Sequence, residues 1–208
     1  MKLISHRGFW SQHDEKNTIV ALSRSFSFGF GTETDVRDCD GVLVISHDPP
    51  NANALHLKDL LDIHAACDPN LPLALNIKSD GLQFLLKEAI ASSKLENYFF
   101  FDMAIPDMLG YLRAGLPFYT RHSDIEPEPI LYEPAAGVWL DSFGPDWLTA
   151  SVIEGHLRSG KSVCIVSPEL HGRDHLAFWQ QMSGWPIIKE KNVILCTDYP
   201  QVAKEFFL

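Results

Sequence analysis

Short apolar runs that end in polar or charged residues recur along this chain, each followed by a stretch with helical spacing. The runs are LISH (3–6), TETDV (32–36), PLALNIK (72–78), YFFFDM (98–103), PFYTR (117–121), GVWLD (137–141), SVCIVS (162–167) and VILCTD (193–198). Their length and their β-branched and aromatic content predict buried strands of a parallel sheet. VLVISH (42–47) follows Asp40-Gly41, a hairpin signal, and is predicted to pair with or extend the second strand. Within LALNIKSD (73–80), residues two apart share a strand face. Leu73, Leu75 and Ile77 should therefore face covering helices, and Ala74, Asn76 and Lys78 the opposite side.

Helices are expected between these runs. NTIVALSRSFSFG (17–29) has Asn17 or Thr18 as N-cap and Gly29 as a stop. SDGLQFLLKEAIASS is predicted to start near Ser79 or Asp80, IPDMLGYLRAG to end at Gly115, and LTASVIEGHLRSG to end at Gly160 with Arg158 in its last turn. DHLAFWQQMSG follows the seventh strand and PQVAKEFFL the eighth, whereas the Pro- and Glu-rich stretch 122–136 gives no clear helix. Alternating strands and helices predict an α/β fold, a compact (β/α)8 TIM barrel forming one domain over 1–208. An open doubly wound sheet is the alternative topology.

Composition narrows the function classes. With 46% hydrophobic and 21% charged residues the chain reads as an ordinary globular protein. Its formal charge of −10 argues against a general binder of nucleic acid or acidic membranes. No run of about 18 apolar residues is present to span a membrane. The four cysteines show no C-x-x-C spacing, and Cys164 and Cys196, inside apolar runs, read as buried free thiols. A strand starting at Leu3 leaves no room for a signal peptide, so a reduced, cytoplasmic protein is expected.

In a barrel of this type the carboxyl ends of the strands form the active mouth. Those ends read His6-Arg7, Glu33 and Asp35, His47-Asp48, Asn76 and Lys78, Asp102, Arg121-His122, Asp141, Ser167 and Glu169, and Asp198. Glu33 and Asp35 share one strand face, where two carboxylates repel unless a cation lies between them. A hard divalent ion, Mg²⁺ or Ca²⁺, suits such oxygens, and the competing reading is an acidic strand end paired with Arg or Lys. His6 and His47 suit a general acid and base, or alternatively metal ligands as in zinc sites. The remaining histidines read as loop or helix-surface residues. Arg7 and Lys78 suit a phosphate-bearing substrate, or serve as partners of Glu33, Asp35 or Asp102.

SHRGFW, EKNT (15–18) and ETDVRDCDGVLVISHD (33–48) together resemble the glycerophosphodiester phosphodiesterase family. That family's pattern runs His-Arg-Gly, Glu-Asn-Thr, Glu-x-Asp-Val, Asp-Gly and a closing His-Asp. LNIK (75–78) falls where the family has a strand ending Glu-x-Lys, and ILCTDYP (194–200) matches an eighth strand ending Thr-Asp-x-Pro. The resemblance is dense over 4–48 and thin between 80 and 190. It implies a metal-dependent phosphodiesterase with His6 and His47 as the acid–base pair. Arg7 and Lys78 become substrate or phosphate contacts, and Glu33 and Asp35 metal ligands. Two departures stand out: Asn76 replaces the third metal-ligand glutamate, and Lys16 is inserted into the Glu-Asn-Thr motif. An amide oxygen still ligates a hard cation but adds no charge, so weaker binding is expected, with Asp102 as a substitute carboxylate. The family's extra segment between the second and third strands is short here, at 49–71, which implies a more open mouth for a bulkier diester or a partner subunit in a homo-oligomer.

The substrate expected is a small glycerol- or sugar-linked phosphodiester, with Arg121 available for a second phosphate or carboxylate and Asp102, Asp141 and Glu169 for sugar hydroxyls. Rival readings are a non-catalytic or weakly active sugar-phosphate-binding barrel, a lyase giving a cyclic phosphate, and a lyase or aldolase acting on a phosphorylated sugar.

Overall fold

The computed structural model describes residues 1–93, 95–144 and 147–208. Ten strands and seven α-helices are set along it. Eight strands are parallel staves of one ring: β1 (Lys2–His6), β2 (Gly31–Cys39), β5 (Leu73–Ile77), β6 (Tyr98–Phe101), β7 (Tyr119–His122), β8 (Gly137–Leu140), β9 (Ser162–Val166) and β10 (Val193–Thr197). β1 pairs with β2 on one side and β10 on the other, and the ladder runs on through β9 and β8 to β7 and, from β2, through β5 to β6. One bridge, Phe100 to Phe118, joins β6 to β7, with Phe100 N–H donating to Pro117 O at 3.0 Å. The protein is thus a (β/α)8 TIM barrel rather than an open doubly wound sheet.

The hairpin signal is realised as expected. Asp40 (φ 51°) and Gly41 (φ 78°) both turn left-handed, and β3 (Val42–Ile45) returns antiparallel to β2. Two left-handed residues in a row define the tight turn that matches strand twist. β4 (Leu55–His56) then pairs with β3.

The helices are α1 (Ile19–Ser27), α2 (Leu57–Cys67), α3 (Gln83–Ala91), α4 (Ile105–Ala114), α5 (Ala150–Arg158), α6 (Leu176–Ser183) and α7 (Pro200–Phe207). Thr18 is the N-cap of α1, accepting Ala21 N–H, and Gly115 closes α4 in the left-handed region. One expected helix start needs correction. The third-strand helix starts at Gln83, not Ser79 or Asp80, because Gly81 (φ 83°) turns the chain and Asp107 accepts its N–H. Residues 49–71, for which no helix is predicted, contain β4 and the three-turn α2, which buries Leu57, Leu60, Leu61 and His64. Those four sit at i, i+3, i+4 and i+7, a helical stripe. As expected, no helix is assigned within 122–136.

The apolar residues fall into three clusters. One lies between β2, β5 and β6 and helices α1 to α4, and includes Leu73, Leu75 and Ile77. A second covers β8 to β10 with Trp179, Met182 and Ala203 from α6 and α7. The third fills the barrel: Ile4, Ala74, Phe99, Phe101, Tyr119, Trp139, Cys164, Val166, Ile194 and Cys196. The alternation in LALNI therefore divides as the sequence predicts. Phe99 stacks on Tyr119 at 3.6 Å and Phe101 on Trp139 at 3.9 Å, so β6 to β8 fill their side of the interior with rings. Gly137 makes room for this packing, since a Cβ there would lie 2.4 Å from the Tyr119 ring.

All four cysteines are free, and Cys164 and Cys196 are buried. His64 and His156 are core residues rather than surface ones. His64 is hydrogen-bonded to Leu71 O at 2.8 Å against Phe26, and His156 lies between His122 and Tyr132 at 2.9 Å from each. Among the described residues no helix is long and apolar enough to cross a membrane.

Candidate active site

The first candidate residues stand where β1 ends. Arg7 (φ 58°) and Gly8 (φ 89°) bend the chain sharply, and a Cβ on Gly8 would meet Ala21 at 2.8 Å. Only glycine fits that corner without strain. Arg7 N–H donates to Glu33 O at 2.8 Å, and Gly8 N–H donates to Thr32 Oγ1 at 3.1 Å. The turn thereby fixes His6 directly opposite Glu33 in register.

His6 lies between two carboxylates. Its Nδ1 is 2.7 Å from Asp198 Oδ1 and its Nε2 is 3.9 Å from Glu33 Oε2. An Nδ1 that donates to Asp198 leaves Nε2 as the proton-accepting nitrogen. Asp198 is itself held: its N–H donates to Glu169 Oε1 at 3.0 Å, and Thr197 Oγ1 donates to the same oxygen at 2.5 Å. Glu169, considered for sugar hydroxyls, instead positions the end of β10.

Glu33 and Asp35 both project from β2 into the barrel and are buried. Burial, and then the neighbouring Asp35 charge, raise the Glu33 carboxyl to a pKa of about 7. Asp35 is surrounded by donors. Asn17 Nδ2 donates to its Oδ2 at 2.8 Å, Arg7 Nε is 2.9 Å from the same oxygen, and Lys78 Nζ is 3.5 Å from Oδ1. Asn17 (φ 60°) also accepts from Thr34 Oγ1, so the Lys-Asn-Thr run buttresses β2 and then caps α1. Asn76 stands opposite Asp35 across β5. Two buried oxygens, Asp35 Oδ1 and Asn76 Oδ1, have no hydrogen-bond partner. Buried acceptors are ordinarily satisfied, and an oxygen-seeking cation satisfies such a pair.

Among the described residues no three His, Cys, Asp or Glu side chains form a metal-binding group. The set at this position is two carboxylates and an amide, Glu33, Asp35 and Asn76. The donor chemistry and the unsatisfied oxygens fit a hard divalent cation with a reduced ligand charge. Asp102 (φ 69°) accepts from Arg121 Nη1 at 2.9 Å and lies 3.7 Å from Lys78, and Arg121 also pairs with Glu126. These groups line a second pocket of about 400 Å³ with Met103, Met108 and Tyr119. Asp141 pairs with His171 at 2.5 Å.

His47 lies just beyond β3 rather than on it, and is 46% exposed with Nδ1 2.9 Å from Asp48 Oδ1. It lines a cleft of about 650 Å³ together with Arg7, His13, Lys16 and Asn17. Both candidate histidines therefore carry a carboxylate on Nδ1. Sequence reasoning named Asp198 only as a strand end and gave it no partner. The signal was the ring itself: closure pairs Ser5 with Thr197, which sets His6 beside Asp198.

No family model and no curated protein matches this sequence. Solved structures do. A glycerophosphodiester phosphodiesterase from Agrobacterium tumefaciens superposes with a TM-score of 0.72 at 14% identity, covering 99% of each chain. A phosphodiesterase from Oleispira antarctica, solved with its product sn-glycerol-3-phosphate, gives 0.71 at 16% identity over 99% of this chain and 96% of that one. A Ca²⁺-dependent phosphatidylinositol-specific phospholipase C from Streptomyces antibioticus gives 0.56 at 9% identity, covering 100% and 96%. At these identities the likeness establishes the barrel fold that all three share with this chain.

Proposed function

We propose that this protein is a metal-dependent phosphodiesterase acting on a glycerol- or sugar-linked phosphodiester. The observation that carries the reading is His6, held by Asp198 with its second nitrogen turned toward Glu33, beside two cations that converge on Asp35. The names of the structural neighbours, and the sn-glycerol-3-phosphate bound to one of them, support the same substrate class.

His6 Nε2 takes the proton of the attacking hydroxyl, and Asp198 stabilises the imidazolium that forms. His47, oriented by Asp48 at the open cleft, protonates the departing alkoxide. Arg7 and Lys78 bind the non-bridging phosphate oxygens, leaving Asp35 partly free. Glu33, Asp35 and Asn76 would hold a divalent cation of the Mg²⁺ or Ca²⁺ type, which supplies charge withdrawal from a phosphate oxygen. The attacking hydroxyl is water or a neighbouring substrate hydroxyl, the latter giving a cyclic phosphate first.

The test is cleavage of a panel of glycerol 3-phosphate diesters with Mg²⁺, Ca²⁺ or Mn²⁺ added, followed by phosphorus NMR. Release of a monoester supports a hydrolase and a persistent cyclic product a lyase. Absence of turnover on every diester with every ion defeats the proposal.

A further inference from the structure

Lys16, inserted into the Glu-Asn-Thr motif, is held on one side of the large cleft. Its side chain is only 15% exposed, and Nζ sits 4.5 Å over the Trp10 ring. Trp10 is fixed in turn by donating Nε1–H to His6 O at 3.1 Å. Glu15 next to it is locked by Arg24 and Ser11 N–H at 2.7 Å each, so the backbone that presents Lys16 is anchored. The nearest carboxylate oxygen is Asp198 Oδ2 at 3.8 Å, too far for a hydrogen bond, while Oδ1 of that residue is taken by His6. The Lys16 Nζ is thus localised and without a hydrogen-bond acceptor among the described residues.

The charge around it is unusual for this chain. In a protein with a formal charge of −10, the residues lining the cleft include Arg7 and Lys16 against one carboxylate, Asp48, which already faces His47; behind the lining Arg7 is paired with Asp35 at 2.9 Å, whereas Lys16 has only the longer contact to Asp198. The second pocket has the opposite balance, with Asp102, Glu126 and Glu128 against Arg121. A simple diester carries one negative charge, which Arg7 and Lys78 already meet. Asn76 in place of a carboxylate makes the site more positive still. Lys16, whose one carboxylate contact among the described residues is the long one to Asp198, is placed to meet further negative charge on the substrate.

Building on the phosphodiesterase reading above, we propose that Lys16 recognises a second anionic group on the substrate, so that preferred diesters carry a phosphomonoester or carboxylate beyond the scissile phosphate. The test compares kcat/KM on glycerol 3-phosphate diesters of glycerol (neutral), ethanolamine (cationic), glycerol phosphate (phosphomonoester) and glycerate (carboxylate). The wild-type protein should favour at least one anionic arm over the neutral one by about 10-fold. Lys16→Met should lower that ratio by a similar factor, chiefly through KM, and Lys16→Arg should restore it. Equal loss on all arms would mean that Lys16 only supports Asp198, and overturns the inference. So does cleavage of the neutral diester with no anionic preference, an outcome that leaves the phosphodiesterase reading intact. Cleavage of none of the four overturns both.

Discussion

Two parts of the barrel mouth, built from the same kind of strand end, behave in opposite ways. Around β1, β2, β5 and β10 the interior below the mouth is lined by small or aliphatic residues such as Ile4, Ala74 and Cys196. Above them stand His6, Glu33, Asp35, Asn76 and Asp198, with two buried oxygens unsatisfied. Around β6 to β8 the interior is filled by stacked rings, and the charges above them, Asp102, Arg121 and Glu126, satisfy one another. A polar group at a strand end is thus not by itself a sign of chemistry. What distinguishes the first part is the pair of buried acceptors, Asp35 Oδ1 and Asn76 Oδ1, left without a hydrogen-bond partner among paired charges.

The sharpest way to break this comparison is to remove one charge from each side. His6→Ala should lower turnover about 100-fold or more with an unchanged circular dichroism spectrum, since general acid–base groups contribute that much. Arg121→Ala should cost far less in the same diester assay, and an equal loss would erase the distinction. The ring-filled side should answer in stability instead. Trp139→Ala opens a cavity beside Phe101 and should cost about 3–5 kcal/mol in denaturant unfolding, while specific activity per folded molecule changes little. Asn76→Glu adds a third carboxylate where two oxygens are unsatisfied. Calorimetric titration should show divalent-ion affinity rising about 10-fold, and the metal-free variant should melt at a lower temperature.

The smallest effect expected is one of pH. Burial raises the folded-state pKa of Glu33 to about 7, above its ordinary value, so in the interval between them the folded protein holds a proton that the unfolded chain has lost. Stability of the metal-free protein should therefore fall as pH rises through that interval, the reverse of a salt-bridged carboxylate. Thermal melts from pH 5 to 8 measure this, and a rising melting temperature would contradict it.

Much of this was legible in the chain. Period-two alternation in LALNI, the Asp40-Gly41 turn and the glycine stops follow from local sterics, and each appears where the pattern places it. The α2 helix escaped because His56 gives no capping signal, and the stripe of Leu57, Leu60, Leu61 and His64 ends in a histidine that reads as polar. The contacts of Asp198 and Glu169 escaped for another reason. They depend on which strands become neighbours when the ring closes, and no stretch of sequence around either residue encodes that. His64 and His156 read as surface residues because the partners that let a histidine enter the core, Leu71 O for one and His122 and Tyr132 for the other, are set by the fold rather than by the residues beside it.

The single bridge between β6 and β7 divides the ring into β1, β2, β5, β6 and β7 to β10, four staves each. The outer apolar layer is divided in nearly the same way, one cluster belonging mainly to the first set and the other mainly to the second. Each half-barrel thus has its own backbone ladder and its own outer covering, and across the β6–β7 seam the two are joined mainly by side chains, the stacked pairs Phe99–Tyr119 and Phe101–Trp139. Hydrogen exchange should accordingly show amides flanking the Phe100–Phe118 seam losing protection before those of the continuous β1–β10 ladder, at whose end His6 meets Asp198.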